Sequence, residues 1–371
     1  MSCLVQLWAI ERYCQLQLRR LLARIGKLKA EDLTDIIQRP DEMGEFLSLY
    51  WKEKKQPLSN QFKKGLGNAL KKFSEFALAK NDKNSAAVTI RDVMFLTHLK
   101  PENPEQEALF KRIAANEMVV PDTWETNLSA GADKKETFER LMSQGNLGAL
   151  AFIRNLRNMV QAGIDESTIR VYARTLDVSK VLPFRYIAAA RIVPQFEDML
   201  EEMMLQSLVS HKKLPGKTVL MIDVSGSMFW AGSVSVSAKS DLDRFDAAAA
   251  LAVLCREICE EVEIYSFSGN AVRVPPRRGF ALVEAIRNSQ PHGGTAMGRS
   301  LEEIDRATSY DRIICFTDEQ SSDRPAKPNG LGYIINVASY ENSINQDAWT
   351  TITGFSEAIV DYIQIIEEMA A

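Results

Sequence analysis

The stretch Thr218–Ser227, TVLMIDVSGS, constrains the fold more than any other part of the chain. Its apolar run shows little alternation, the pattern of a strand buried on both faces, and it ends in Asp223, with hydroxyls following at Ser225 and Ser227. Such a strand needs helices over both faces, and open α/β sheets bind their ligands beyond the carboxyl ends of their strands. Two later stretches repeat the arrangement: Gly293-Gly294-Thr295 opens a helix, and Ile313–Thr317 is a second buried strand followed by Asp318. The three loops supply two carboxylates and three hydroxyls, Asp223, Ser225, Ser227, Thr295 and Asp318. Oxygen donors on short side chains suit a hard cation, so Mg²⁺ or another divalent cation is the expected cofactor. If the hydroxyls bind directly and the aspartates act through water, the ion keeps much of its charge and seeks an anionic oxygen from a partner. The alternative is an α/β domain with capped turns and no ion.

Around these loops the second half alternates strand and helix, which predicts a mainly parallel, doubly wound sheet. A polar insertion, Gly232–Asp241, precedes a helix over Arg244–Glu261 with an alanine-rich face and an N-cap within Asp243–Asp246. Strands are expected at Val262–Phe267, Ala271–Val274, Asp311–Thr317 and Gly332–Val337, and helices at Phe280–Asn288, Met297–Ala307 and Phe355–Met369. Phe229 and Trp230 either pack under the insertion or rim the ion. Glu319 reads as a solvated acid, with a place in the ion's surroundings as the alternative, and His292, ahead of the Gly293-Gly294 turn, stands where it could touch a bound anion but is not assigned that role.

Three histidines, no G-x-x-x-x-G-K-S/T phosphate loop and no two-metal carboxylate cluster argue against an enzyme; Ser225 has no histidine base near it in sequence. No apolar run reaches the roughly 18 residues of a membrane span, and the start, MSCLVQLWAI, reads as a helix start and not as a signal peptide. Five cysteines, an odd number without framework spacing, point to a reducing compartment, with Cys255, Cys259 and Cys315 as core filling.

The first half is helical throughout. Leu16–Ile25 repeats at helical spacing before Gly26, Gln61–Lys80 forms a long helix with Lys63, Lys64, Lys71 and Lys72 projecting between apolar positions, and Thr89–Leu99 follows a polar loop containing Lys83. Later helices span Pro104–Glu117, Lys134–Gln144, Leu147–Ala162, Glu166–Thr175 and Pro183–Leu208. Short helices that cannot bury their faces alone must stack, although no clean repeat period emerges. Ser207–Gly216, with Pro215-Gly216 ahead of the first strand, reads as the boundary between the halves, and His211 as a solvated linker residue.

Charge is unevenly distributed. Met1–Lys217 carries 33 Lys and Arg against 27 Asp and Glu, and Thr218–Ala371 carries 12 against 22. Within the first half, Trp51–Lys100 has 11 positive and 4 negative residues, an excess suited to a polyanion.

Two resemblances extend this reading. D-x-S-x-S at Asp223–Ser227, then Thr295, then Asp318, resembles the metal-ion-dependent adhesion site of von Willebrand factor A domains. In the first half, Thr97–Pro101, THLKP, preceded by Arg91-Asp92, is similar to a signature of the TROVE module of the Ro autoantigen family; Leu147–Leu150, Ile153–Leu156 and Leu182–Phe184 agree with it. That family places an A domain directly after the module. The resemblance therefore implies a multidomain chain: an all-α, HEAT-like helical-repeat arc or ring over 1–212, a linker at 213–217, and a von Willebrand A domain over 218–371. It further implies a cytoplasmic RNA-binding protein that takes small noncoding Y-like RNA on a basic outer face and single-stranded ends of misfolded RNA in a central hole. An exoribonuclease or other protein would dock an acidic residue on the metal site, and no membrane is involved. By match to the signature, His98 would contact Y RNA, with Lys100, Lys80 and Lys83 nearby. On its own residues His98 reads instead as a helix-end cap. Relatives carry further helices ahead of the region matching Gln15–Ile37, so the resemblance implies a shortened bacterial or phage-like form whose ring is open or closed by oligomerisation, or else a sequence that is a truncated form. The alternative from a different class is a metal-dependent adhesion or assembly module that binds no RNA and docks its basic half on an acidic protein.

Overall fold

The computed structural model describes residues 29–51, 57–82, 87–209, 211–229, 243–338, 348–353 and 359–370. The expected N-terminal helix, Lys83, Trp230 and the Gly232–Asp241 insertion lie outside the described residues. The chain forms two compact units, Met1–Gly131 with Asp361–Ala371, and Ala132–Val360.

In the first unit, α1 (Ala30–Ile36), α2 (Pro40–Tyr50), α3 (Asn60–Lys71), α4 (Glu75–Asn81), α5 (Ile90–Thr97), α6 (Pro104–Ala115) and α7 (Trp124–Ser129) follow one another as short helices. Buried residues of α1 to α6 share one core that includes Leu33, Phe46, Phe62, Leu66, Val93 and Ile113, while α7 has no buried residue. Helices α1 and α3 approach closely because Gly65 has no side chain: a Cβ there would lie 2.6 Å from the Leu33 Cβ. The expected helix over Gln61–Lys80 is two helices. The Ser74 hydroxyl accepts from the Ala77 N–H at 3.3 Å and so starts α4 where the sequence pattern runs on. Arg112 of α6 then grips Glu75 through two bonds of 2.8 and 2.7 Å, which fixes the start of α4.

The second unit begins with α8 (Lys134–Ser143), α9 (Ala149–Gln161), α10 (Glu166–Ala173), α11 (Pro183–Ile192) and α12 (Glu197–Leu208). The expected single helix over Pro183–Leu208 is interrupted at Val193–Phe196, since Pro194 donates no backbone bond and its ring cannot sit inside a helix.

A six-stranded sheet follows: β1 (Leu214–Asp223), β2 (Cys259–Phe267), β3 (Ala271–Arg273), β4 (Arg312–Thr317), β5 (Leu331–Asn336) and β6 (Thr350–Thr353), in the order β3-β2-β1-β4-β5-β6. Only β3 is antiparallel. Strand β1 starts at Leu214, earlier than Thr218, because Leu214 already pairs with Cys259; a ladder irregularity between Leu214 and Lys217 absorbs Pro215-Gly216. Helices α13 (Arg244–Ile258), α14 (Gly279–Arg287) and α15 (Met297–Ala307) complete this unit, and α16 (Ile359–Ala370) belongs from Asp361 onward to the first unit. Helix α13 ends at Ile258 and the chain turns directly into β2, so Cys259 belongs to the strand and not to the helix. Cys255, Cys259 and Cys315 are buried.

Helix α11 packs on α13, and α12 packs on α13 and α14, so this part of the helical array is built onto the sheet domain. Arg191 of α11 is ion-paired to the fully buried Asp246 of α13, which Arg287 of α14 also contacts at 3.3 Å.

Candidate functional site

Strand order reverses on either side of β1, which has β2 on one flank and β4 on the other, and the carboxyl ends of β1 and β4 lie side by side in parallel register. That crevice is where a sheet of this kind leaves room for a ligand. Three loops meet there. In the first, Asp223 is fully buried, its Oδ1 accepting from the Ser225 N–H at 2.8 Å and its Oδ2 from the Thr317 hydroxyl at 2.7 Å. The Ser225 and Ser227 hydroxyls are 3.2 Å apart. The second loop joins the first through a bond of 3.1 Å from the Gly226 N–H to the Gly293 carbonyl. It joins the third through the Thr295 carbonyl, which accepts from the Ser322 N–H at 2.9 Å and from its hydroxyl at 2.6 Å. Asp223, Ser225, Ser227, Thr295 and Asp318 thus stand on three mutually bonded loops at one end of the sheet.

Burial pushes the Asp223 carboxyl up to about 6, against the lowering effect of its bonds to Ser225 and Thr317; the charge of Asp318 adds to the rise. Asp318 is also fully buried, and its Oδ2 accepts from Arg244 Nη1 at 2.6 Å. Glu319 is not a solvated acid: it is 4% exposed and adopts a left-handed backbone with φ of 59°. A non-glycine residue held in that conformation beside a loop cluster marks a backbone constrained by its surroundings.

Phe229 packs: its ring lies 4.6 Å from Phe245 and 4.0 Å from His292, under the Arg287 guanidinium. His292 Nδ1 is 2.9 Å from the Val224 carbonyl, which ties the second loop to the first. The sequence reading missed Ser268, which accepts from the Gly293 N–H at 3.0 Å and donates to the Gly294 carbonyl at 2.9 Å, and it missed the role of Arg244. A signal for Arg244 did exist. It stands at the first position of α13, where the helix dipole disfavours a cation, so its charge calls for an acid elsewhere.

A second candidate surface lies in the first unit. Thr89 caps α5 at its start in a reciprocal box with Asp92, and His98 closes the helix in the left-handed conformation, with φ of 52°. His98 is therefore a cap through its backbone, while its side chain is exposed. Arg91, Phe95 and His98 recur at helical spacing along one exposed side of α5; Phe95 is 54% exposed, and the Arg91 guanidinium lies 5.7 Å from its ring centre. Lys80 and Lys100 are exposed, as is Lys64, whose ammonium lies 4.0 Å from Glu31, and Lys63 is half-buried. Lys71 is ion-paired with Glu102 at 2.5 Å. Lys72 donates to the Thr34 carbonyl, and burial lowers its ammonium below the usual value.

No helix among the described residues is long and apolar enough to cross a membrane. Telomerase protein component 1 of Mus musculus is 28% identical over 107 residues, 27% of this chain, and the chain spans about 4% of that relative's length. The crystal structure of the Deinococcus radiodurans RO (RSR) protein matches with a TM-score of 0.65 at 16% identity, covering 97% of this chain and 92% of that one. The shared fold is a helical-repeat region followed by an α/β sheet domain of von Willebrand A-like architecture. The TROVE domain matches residues 38–229, more than half of the chain, a span that contains both the His98–Pro101 stretch and the Asp223–Met228 loop. The chain therefore belongs to the TROVE-domain family.

Proposed function

We propose that the protein binds small structured, Y-like RNA and single-stranded RNA ends on the surface around α5, and that its α/β domain holds a divalent cation through which an acidic protein partner is recruited. The observation that carries the RNA reading is the exposed Arg91, Phe95 and His98 stripe, with Lys100 just beyond it. Cations and a ring on one helix face offer phosphates a counter-charge and an unpaired base a stacking surface, a combination that tolerates any sequence. Lys80, Lys63 and Lys64 add positive charge on neighbouring helices, whereas Lys71 and Lys72 already have protein partners.

The donor set of the three loops suits a hard cation. All the side-chain donors are oxygens, and the 3.2 Å between the Ser225 and Ser227 hydroxyls is close to the edge of an octahedron, about 3.0 Å for metal–oxygen bonds of about 2.1 Å. Asp223, Ser225, Ser227, Thr295 and Asp318 would hold the ion, which would supply a positive centre for a partner's carboxylate.

Binding of labelled structured RNA and of a single-stranded oligonucleotide, measured over a salt series, tests the first half. Affinity should fall steeply with salt, and Phe95→Ala should weaken the single-stranded probe by roughly tenfold, within the range of one stacked base. Salt-independent binding, or none at low salt alongside divalent-dependent capture of an acidic protein, would favour an adhesion module instead.

A further inference from the structure

We propose that Arg244 is a tethered counter-cation of the three-loop cage, holding Asp318 when no metal ion is present and competing with a divalent ion for that carboxylate. The inference rests on the divalent site proposed above. Arg244 is 7% exposed, and its Nη1 lies 2.6 Å from Asp318 Oδ2 and 3.5 Å from the Ser227 carbonyl oxygen. Its guanidinium therefore contacts both the first and the third loop of the cage.

The acids of its own helix turn are otherwise engaged. Asp243 caps the helix by accepting from the Asp246 N–H at 2.7 Å, and Asp246 is held by Arg191 and Arg287. Arg244 instead reaches 74 residues along the chain to the loop after β4. Its position at the positive end of α13 is unfavourable for a cation unless an acid compensates it, and Asp318, with no exposed surface, has the converse need.

The consequence for an ion is electrostatic. The charge of Asp318 adds to the cost of ionising Asp223, and the Arg244 guanidinium, 2.6 Å from Asp318, already offsets part of the acidic charge of the cage. A divalent ion must either draw Asp318 away from Arg244 or bind a half-compensated cage, and in both cases its affinity is lower than the oxygen donors alone would give. In return, the metal-free cage is not left with a buried, unpaired aspartate.

The test uses the full chain and Mn²⁺, with free ion followed by electron paramagnetic resonance and stability followed by thermal unfolding. Arg244→Gln should bind Mn²⁺ at least tenfold more tightly than the wild type, about 1.4 kcal/mol. Without metal it should unfold at a lower temperature, and saturating Mn²⁺ should restore the wild-type value. Asp223→Ala should abolish binding in either background, which locates the ion in the cage. Equal affinities for wild type and Arg244→Gln, both lost with Asp223→Ala, would overturn the counter-cation and leave the divalent site standing. Weaker binding by Arg244→Gln, or a thermal deficit that Mn²⁺ does not repair, would overturn it in the same way. If no variant shows binding sensitive to Asp223, the divalent site itself fails and the inference fails with it.

Discussion

The Thr317 hydroxyl at the end of β4 donates to the Asp223 carboxylate at the end of β1 at 2.7 Å, across two parallel strands and with both groups buried. The bond holds the first and third loops in register and supplies part of the stabilisation that keeps a fully buried carboxylate ionisable. Thr317→Val preserves the shape and removes the donor. It should cost about 1–2 kcal/mol in urea unfolding and weaken divalent-cation binding, while Thr317→Ser should retain both. If valine is neutral in both assays, the bond does not organise the loops.

Division of labour between the units gives a second expectation. All five oxygen donors lie in the Ala132–Val360 unit, and the α5 stripe lies in the other. Asp223→Ala should therefore abolish Mn²⁺ binding while RNA affinity, measured by filter binding, stays within about twofold, less than about 0.5 kcal/mol. Parallel loss of both would show that RNA and ion share one site.

Much of this cage could be read in the chain because each loop announces itself locally: a buried strand, then an acid or hydroxyls in a turn. The two breaks in the helical pattern were legible in principle too, since Ser74 and Pro194 are ordinary start and stop residues that an apolar periodicity simply overran. What could not be read depends on contacts distant in sequence. Arg244 meets Asp318 only once the sheet brings β1 and β4 together, and Glu319 is buried because its left-handed backbone follows from the loop's bonds and not from its neighbours. Lys71 and Lys72 illustrate the same limit from the other side. Their spacing suggests a free basic face, yet Glu102 and the Thr34 carbonyl are partners that no helical periodicity reveals.

The remaining exposed cations on the first unit make the next expectation specific. Reversing exposed Lys80 and Lys100 to Glu should weaken RNA binding across sequences and flatten the dependence of log affinity on log salt, by about 0.7 for each phosphate of a single strand that is no longer neutralised. Lys71→Gln, by contrast, should disturb the Glu102 ion pair and change the salt slope little. A reversed double variant with an unaltered slope would move the RNA to another face.

Stability of the second unit offers the sharpest test of how the helical array is joined to the sheet domain. Glu201 of α12 accepts from the Phe280 N–H at 2.8 Å, so a carboxylate from the helical region caps the positive end of α14. Gly279, at the start of α14, has φ of 56°, and a Cβ there would lie 2.0 Å from Glu201 Oε1. Gly279→Ala must therefore adopt a left-handed backbone unfavourable to alanine and also displace the cap, for a combined cost of about 2 kcal/mol or more. That corresponds to a fall of about 4–8 °C in unfolding temperature for a unit of this size. Glu201→Ala removes the clash together with the cap, so adding it to Gly279→Ala should cost less than the sum of the single changes. Strict additivity would mean that Glu201 and Gly279 act independently, and that the join between α12 and α14 rests on apolar packing alone.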